Sequence, residues 1–149
     1  MSDIYACATV ARTLEEAALR TLLMAPVALL FATTAWAAPP PPTPGDISMF
    51  EENGAYVLRT NDAKPIYTFD RDQPGKSNCN GPCATAWPPV VASPGSRPVG
   101  GWTMIKRDDG ASQWAYRGKP VYSFAHDDEG KANGDGMGGV WHLLPPTPK

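Results

Sequence analysis

The sequence predicts an all-β fold: two tandem three-stranded meander repeats packed as one small pseudo-symmetric domain and stapled by one disulfide. Three observations predict it. Lys64–Asp72 (KPIYTFDRD) matches Lys119–Asp127 (KPVYSFAHD) at an offset of 55 residues, and an internal repeat constrains architecture before any local signal does. Each copy carries a hairpin dipeptide, Asn53-Gly54 or Asp109-Gly110, whose residues tolerate the positive φ of a tight β-turn. Once a leader is removed, Cys79 and Cys83 remain as an even pair, and an even pair in an oxidising compartment favours a disulfide.

The elements follow in chain order. Leu22–Ala35 is almost wholly apolar, Arg20 precedes it, and Ala35-Trp36-Ala37 follows as an A-x-A cleavage site. Residues 1–37 therefore read as a secretory signal peptide, too short to span a bilayer. Glu15 and Glu16 are foreign to a secretory n-region, so the N-terminus reads as over-long, with a start at Leu19 or Val10. No Cys lies between Leu22 and Pro44, so no lipid anchor and no membrane span are expected. Residues 38–46 read as a Pro-rich tether without core residues. The domain then runs from 47 to 144, with repeats over about 47–91 and 102–144 and a tail at 145–149.

In the first repeat, strands are expected at Ile47–Phe50, Ala55–Thr60 and Ile66–Asp70. In the second they fall at Trp102–Arg107, Ser112–Tyr116 and Val121–Ala125. Pro65 and Pro120 sit where the third strand begins, a place that tolerates a missing N–H. Cys83–Trp87 has room for one helical turn before Pro88-Pro89 stops it. Trp87 and Trp141 close the two repeats at an offset of 54. A lone three-stranded meander buries too little to be stable, so two copies must cover each other's apolar faces.

Composition narrows the function. The chain has 149 residues, 13 Lys+Arg and 15 Asp+Glu, and a net charge of -2. That balance lacks the basic footprint a phosphate backbone requires, so nucleic acid is no expected partner. No G-x-S-x-G, H-E-x-x-H or P-loop sequence occurs, so no familiar catalytic centre is read.

Tyr-x-Phe-x-x-Asp occurs twice, as Tyr67/Phe69/Asp72 and Tyr122/Phe124/Asp127. Residues two apart share a strand face, so each aromatic pair reads as a core seam, and each Asp as the closer of an Asx-turn. A cleft lined by the Tyr hydroxyls and Asp carboxylates is the functional counterpart of that reading. With GKSNCNGPCATAWPPV (Gly75–Val90), RDDGASQWAY (Arg107–Tyr116) and GDGMGGVWHL (Gly134–Leu143), the chain resembles a bacterial family of secreted repeat proteins, predicted lipoproteins with a Yx(F/W/Y)xxD motif. The resemblance implies tandem repeats and an envelope location, with no established activity. Many members look lipid-anchored, and this chain departs from them in lacking the anchoring Cys.

Three functions stay open on sequence. The first is a non-catalytic, secreted or periplasmic module that binds an unknown envelope ligand or protein, with no cofactor. The second is a periplasmic copper protein, since a C-x3-C pair plus imidazole suits copper; its ligands would be Cys79, Cys83, His126 and His142. Of these, His142 reads as a packed strand residue and His126 as exposed. The third is an enzyme with an unrecognised site. Asp127, Asp128, Glu129, Asn133 and Asp135 crowd one loop, but their spacing misses the calcium-loop pattern, with Lys131 where a ligand belongs.

Overall fold

The computed structural model describes residues 39–148. The expected signal peptide and the alternative start sites lie outside the described residues. The domain is all-β, as predicted, with one short helix, α1 (Pro82–Ala86), in the Cys-rich loop. Among the described residues no helix is long and apolar enough to cross a membrane.

The first hairpin is the expected one. β1 (Ile47–Glu52) pairs with β2 (Ala55–Thr60) from Ile47↔Thr60 to Glu52↔Ala55, and Asn53 and Gly54 both take positive φ, 50° and 76°. The second differs. β4 (Trp102–Lys106) pairs with β5 (Ser112–Tyr116), but Asp109-Gly110 is not a two-residue turn. The Gly110 N–H donates to the Arg107 carbonyl at 3.0 Å, and only Gly110 has positive φ. Arg107 follows β4 at the base of this wider loop, its N–H donating to the Ala111 carbonyl at 2.9 Å and its side chain buried.

The third strands are shorter than expected. β3 is Tyr67–Phe69 and β6 is Lys119–Tyr122. Arg117-Gly118 makes a tight turn, so β5 and β6 pair as a hairpin. The matching turn in repeat one is a residue longer, with Ala63 at φ 59°. There β2 and β3 meet only at the isolated Arg59↔Pro65 bridge. The meander is complete in the second repeat and broken in the first.

β3 instead joins β6, antiparallel, with Tyr67 opposite Tyr122. These two residues are equivalent in the repeat, so a local two-fold axis passes between them. β7 (Trp141–Leu143), which ends repeat two, lies on the other side of β3 and so belongs to the sheet of repeat one. Reciprocally, the end of repeat one lies against β6: Val90 N–H donates to Val121 at 3.0 Å and Ser123 N–H to Pro88 at 2.9 Å. Pro88 and Pro89 lack donors, so this second segment forms bridges and no full strand. The repeats have exchanged their terminal segments. The sheets run β4-β5-β6-β3-β7 and β1-β2-β8, where β8 (Thr147–Pro148) pairs with Ala55 and Tyr56. The tail expected at 145–149 thus contributes a strand.

One core cluster, including Ile66, Trp102, Trp114 and Val121, lies beneath the hairpins; a second surrounds Tyr67 and Tyr122. The Pro-rich segment is engaged before Ile47. The Asp46 carboxylate accepts from Ser93 N–H (3.0 Å), the Ser93 hydroxyl, the Ser96 hydroxyl (3.1 Å) and Trp114 Nε1 (2.8 Å). It thereby holds the linker between the repeats.

Candidate functional site

Strand alternation in β3 places Tyr67 with Phe69, and Phe124, just past the end of β6, packs with Tyr122 in the same cluster where the repeats meet. Trp87 and Trp141 stack there with ring centroids 3.8 Å apart and planes within 3°. Phe69 stacks on Trp141 at 4.2 Å and Phe124 on Trp87 at 4.3 Å. The result is one four-ring column, Phe69–Trp141–Trp87–Phe124, in which the rings of both repeats alternate. Tyr67 and Tyr122 meet Trp87 and Trp141 edge-on, at 5.3 and 5.2 Å. Gly134 lies so close that a Cβ there would come within 2.6 Å of Trp87.

The motif's polar ends cross between repeats. The Tyr67 hydroxyl donates to Asp127 and the Tyr122 hydroxyl to Asp72, each at 2.7 Å. The other oxygen of each carboxylate accepts a backbone N–H six residues on, from Asn78 at 2.7 Å and Asn133 at 2.8 Å. The Asx-turn expectation is corrected: each carboxylate closes a longer loop and ties it to the other repeat. Both hydroxyls are buried, and burial pushes their pKa values far above the ordinary tyrosine range. They are donors at every ordinary pH. The four polar groups bond one another in pairs across the repeats, and of them Asp72 also borders a surface pocket.

Around Tyr122 stands a network that sequence reasoning missed. Ser77 Oγ lies 2.7 Å from the Tyr122 hydroxyl. Arg107, 4% exposed, donates to Ser77 (2.9 Å), Gln113 Oε1 (2.6 Å), the Cys79 carbonyl (2.8 Å) and Asn80 (3.1 Å). Gln113 Nε2 donates in turn to the Val121 carbonyl at 2.9 Å. Among the described residues no buried side-chain N or O lacks a partner. Tyr67 has only Asp127 and a 3.3 Å bond from Gly134 N–H. Its counterpart of Arg107 in the repeat is an acidic residue, Glu51.

The two carboxylates that organise the domain titrate in opposite senses. Burial opposes the charge on Asp46, but bonds from Ser93, Trp114 and Ser96 outweigh it and hold the carboxyl below 3.8. Burial raises Asp72 above 3.8 against Asn78, Tyr122 and Arg107. A lowered acid adds stability above its unfolded value and loses it as pH falls through the folded value; a raised acid does the reverse. Asp46→Asn should therefore cost more at about pH 7 than at about pH 3, and Asp72→Asn more at about pH 3 than at about pH 7. Urea melts at both pH values check this, and slopes of equal sign would refute it.

Cys79 and Cys83 are bonded, S–S 2.02 Å, with Cα atoms 5.2 Å apart. So short a ring contributes roughly 2 kcal/mol in the chain-entropy account. Repeat two has glycine turns in its place. His142 is no packed residue: Trp141 faces inward, so its neighbour faces out, and His142 Nε2 meets Asp70 at 2.8 Å with both side chains 47% exposed. His126 is exposed, edge-on to Phe124. Cys79, Cys83, His126 and His142 are not brought together, and the described residues contain no group of three or more His, Cys, Asp or Glu placed to hold a metal ion. In the acidic loop, Asp127 is committed to Tyr67 and Asn133, Asp135 accepts from Leu143 N–H, and Asp128 pairs with Lys131.

No curated protein and no solved structure matches the chain. One family model does, twice, over residues 52–91 and 103–144, and its description is "secreted repeat of unknown function". The two matches coincide with the units that cross their Tyr–Asp bonds. The chain belongs to this family, Lipoprotein_15, as a tandem pair of its repeats.

Proposed function

We propose that the protein is a non-catalytic module of the cell envelope, periplasmic or secreted, that binds its partner through its surface while the repeated motif holds the fold. The crossed Tyr67–Asp127 and Tyr122–Asp72 bonds carry this reading. All four polar groups of the motif are spent on joining the repeats. The closed Cys79–Cys83 bond supports the same reading, because a copper site would need both thiolates.

Tyr67→Phe and Tyr122→Phe test it. Each removes the donor to a carboxylate, a bond worth about 1.5–3 kcal/mol. In a domain of this size that lowers Tm by roughly 5–10 °C. Tyr67→Phe leaves Asp127 with its backbone donor alone, whereas Tyr122→Phe also strips a partner from Ser77. Differential scanning calorimetry reads both. Unchanged melting in both variants would mean the motif is not structural and would return its four groups to the list of catalytic candidates.

A further inference from the structure

The four-ring column has two ends that the repeat makes equivalent, and they are finished differently. Phe124 is buried, and His126 closes over it at 5.3 Å. Phe69 is half-buried and lines a pocket of about 220 Å³ between the loop after β3 and the β5–β6 turn. The opening at Phe69 is therefore a departure from the two-fold symmetry of the column.

The walls differ as well. The segment after β3 lines the pocket with Asp70, Asp72, Gln73 and Pro74, and the β5–β6 turn lines it with Arg117 and Lys119. The positions equivalent to Arg117, Gln73 and Pro74 at the other end are Asp62, Asp128 and Glu129. The other end has three acidic residues at these positions, where the pocket end has a cation and two uncharged residues, with Asp70 and Asp72 beside them. Arg117 sits at φ 50°, in the left-handed region that Asn, Asp or Gly occupies more cheaply at such a turn. Its guanidinium lies over the Tyr116 ring at 5.2 Å. Among the described residues neither Arg117 nor Lys119 is ion-paired. A strained residue with an unneutralised charge at a pocket mouth points to a ligand more than to stability.

We infer that this pocket binds a carboxylate-bearing saccharide unit. The ring lies against Phe69 and Pro74, the carboxylate meets Arg117 and Lys119, and hydroxyls bond Gln73 and the Asp70 carboxylate that His142 orients. The volume is below the roughly 300–1,000 Å³ of pockets for drug-sized ligands, which suits a single sugar ring at the end of a longer glycan. The inference rests on the binding-module reading and gives that module a ligand class.

The test is a nuclear magnetic resonance titration of the secreted chain with methyl glucuronide, methyl glucoside and acetate. Saturable shifts at Phe69, Gln73 and Gly118 are expected with the glucuronide, at a Kd near or below ~1 mM. Binding should be at least about ten-fold weaker with either control. Arg117→Gly should weaken glucuronide binding about ten-fold while Tm stays equal or rises, because glycine is unstrained at this φ. No saturable shift with the glucuronide overturns the inference. So does equal binding of glucoside, which removes the carboxylate, or of acetate, which leaves a mere anion site, or undiminished binding by Arg117→Gly. If binding fails while Tyr67→Phe and Tyr122→Phe destabilise as expected, the pocket's ligand is wrong and the module reading stands.

Discussion

Trp87→Ala is expected to lower stability by about 3–5 kcal/mol, and Trp141→Ala by a similar amount. Each indole is sandwiched between two aromatic rings of the other repeat, and receives a tyrosine edge from its own. Removing Trp87 opens a cavity that Gly134, having no side chain, cannot fill. The cost comes in two parts: the lost transfer energy of the indole, and the void between rings that cannot collapse while Trp141 and Phe124 are held by other contacts. The double variant should cost less than the two singles together, because the Trp–Trp stack is counted in both. That coupling should be about 0.5–1.5 kcal/mol. Urea unfolding followed by far-ultraviolet circular dichroism measures all three variants. A loss under about 1 kcal/mol for either single change would mean that the column is not the core of the domain.

The repeat made much of this legible. The offset of 55 identifies equivalent residues, and the two-residue period of a strand puts Tyr67 with Phe69 and Tyr122 with Phe124. Both statements survive in the structure. Partner choice was not legible. A strand after Trp87 that closes on its own repeat and one that closes on the other repeat obey the same pattern, and Pro88-Pro89 hides one of the two. The crossed Tyr–Asp bonds depend on that exchange, so they were hidden with it. His142 was misread as packed, although a strand with Trp141 facing in must turn His142 out. Its apolar neighbours Val140 and Leu143 obscured the alternation.

Exchange also explains why one repeat recurs twice with different chemistry. The two-fold frame requires the aromatic column and the Tyr–Asp bonds, and these are the same at both ends. What the frame does not require has diverged. The disulfide stands in one copy against glycine turns in the other, and Phe124 is closed where Phe69 is open. Arg107 stands where the first repeat has Glu51. Divergence confined to such positions is where a function separate from folding has room to reside.

Arg107 is the largest of these departures, and Arg107→Met is expected to cost about 3–5 kcal/mol. An Arg beside Asp108 and Asp109 at a hairpin looks like a solvated surface charge in sequence; nothing local shows that the loop turns it inward. Methionine keeps much of the volume and removes the five donors of the guanidinium. Asn80 is exposed and can turn to water, and Ser77 keeps Tyr122. Gln113 Oε1 has no such recourse and the Cys79 carbonyl keeps only a long bond from the Ser77 hydroxyl at 3.4 Å, and each buried acceptor left unmet costs about 1–3 kcal/mol. Loss of the charge acts further along, through Ser77 and Tyr122, on Asp72. Arg107 favours the ionised form of that carboxyl, so without it Asp72 should titrate at still higher pH. The cost of Arg107→Met should then be greater at about pH 7 than at about pH 3, where Asp72 is largely neutral in either protein. Arg107→Lys restores charge without the planar fork and should recover the pH dependence better than the stability. Urea melts of both variants at the two pH values separate these effects. A loss below about 1 kcal/mol with no pH dependence would place Arg107 at the surface, outside the Tyr122–Asp72 network.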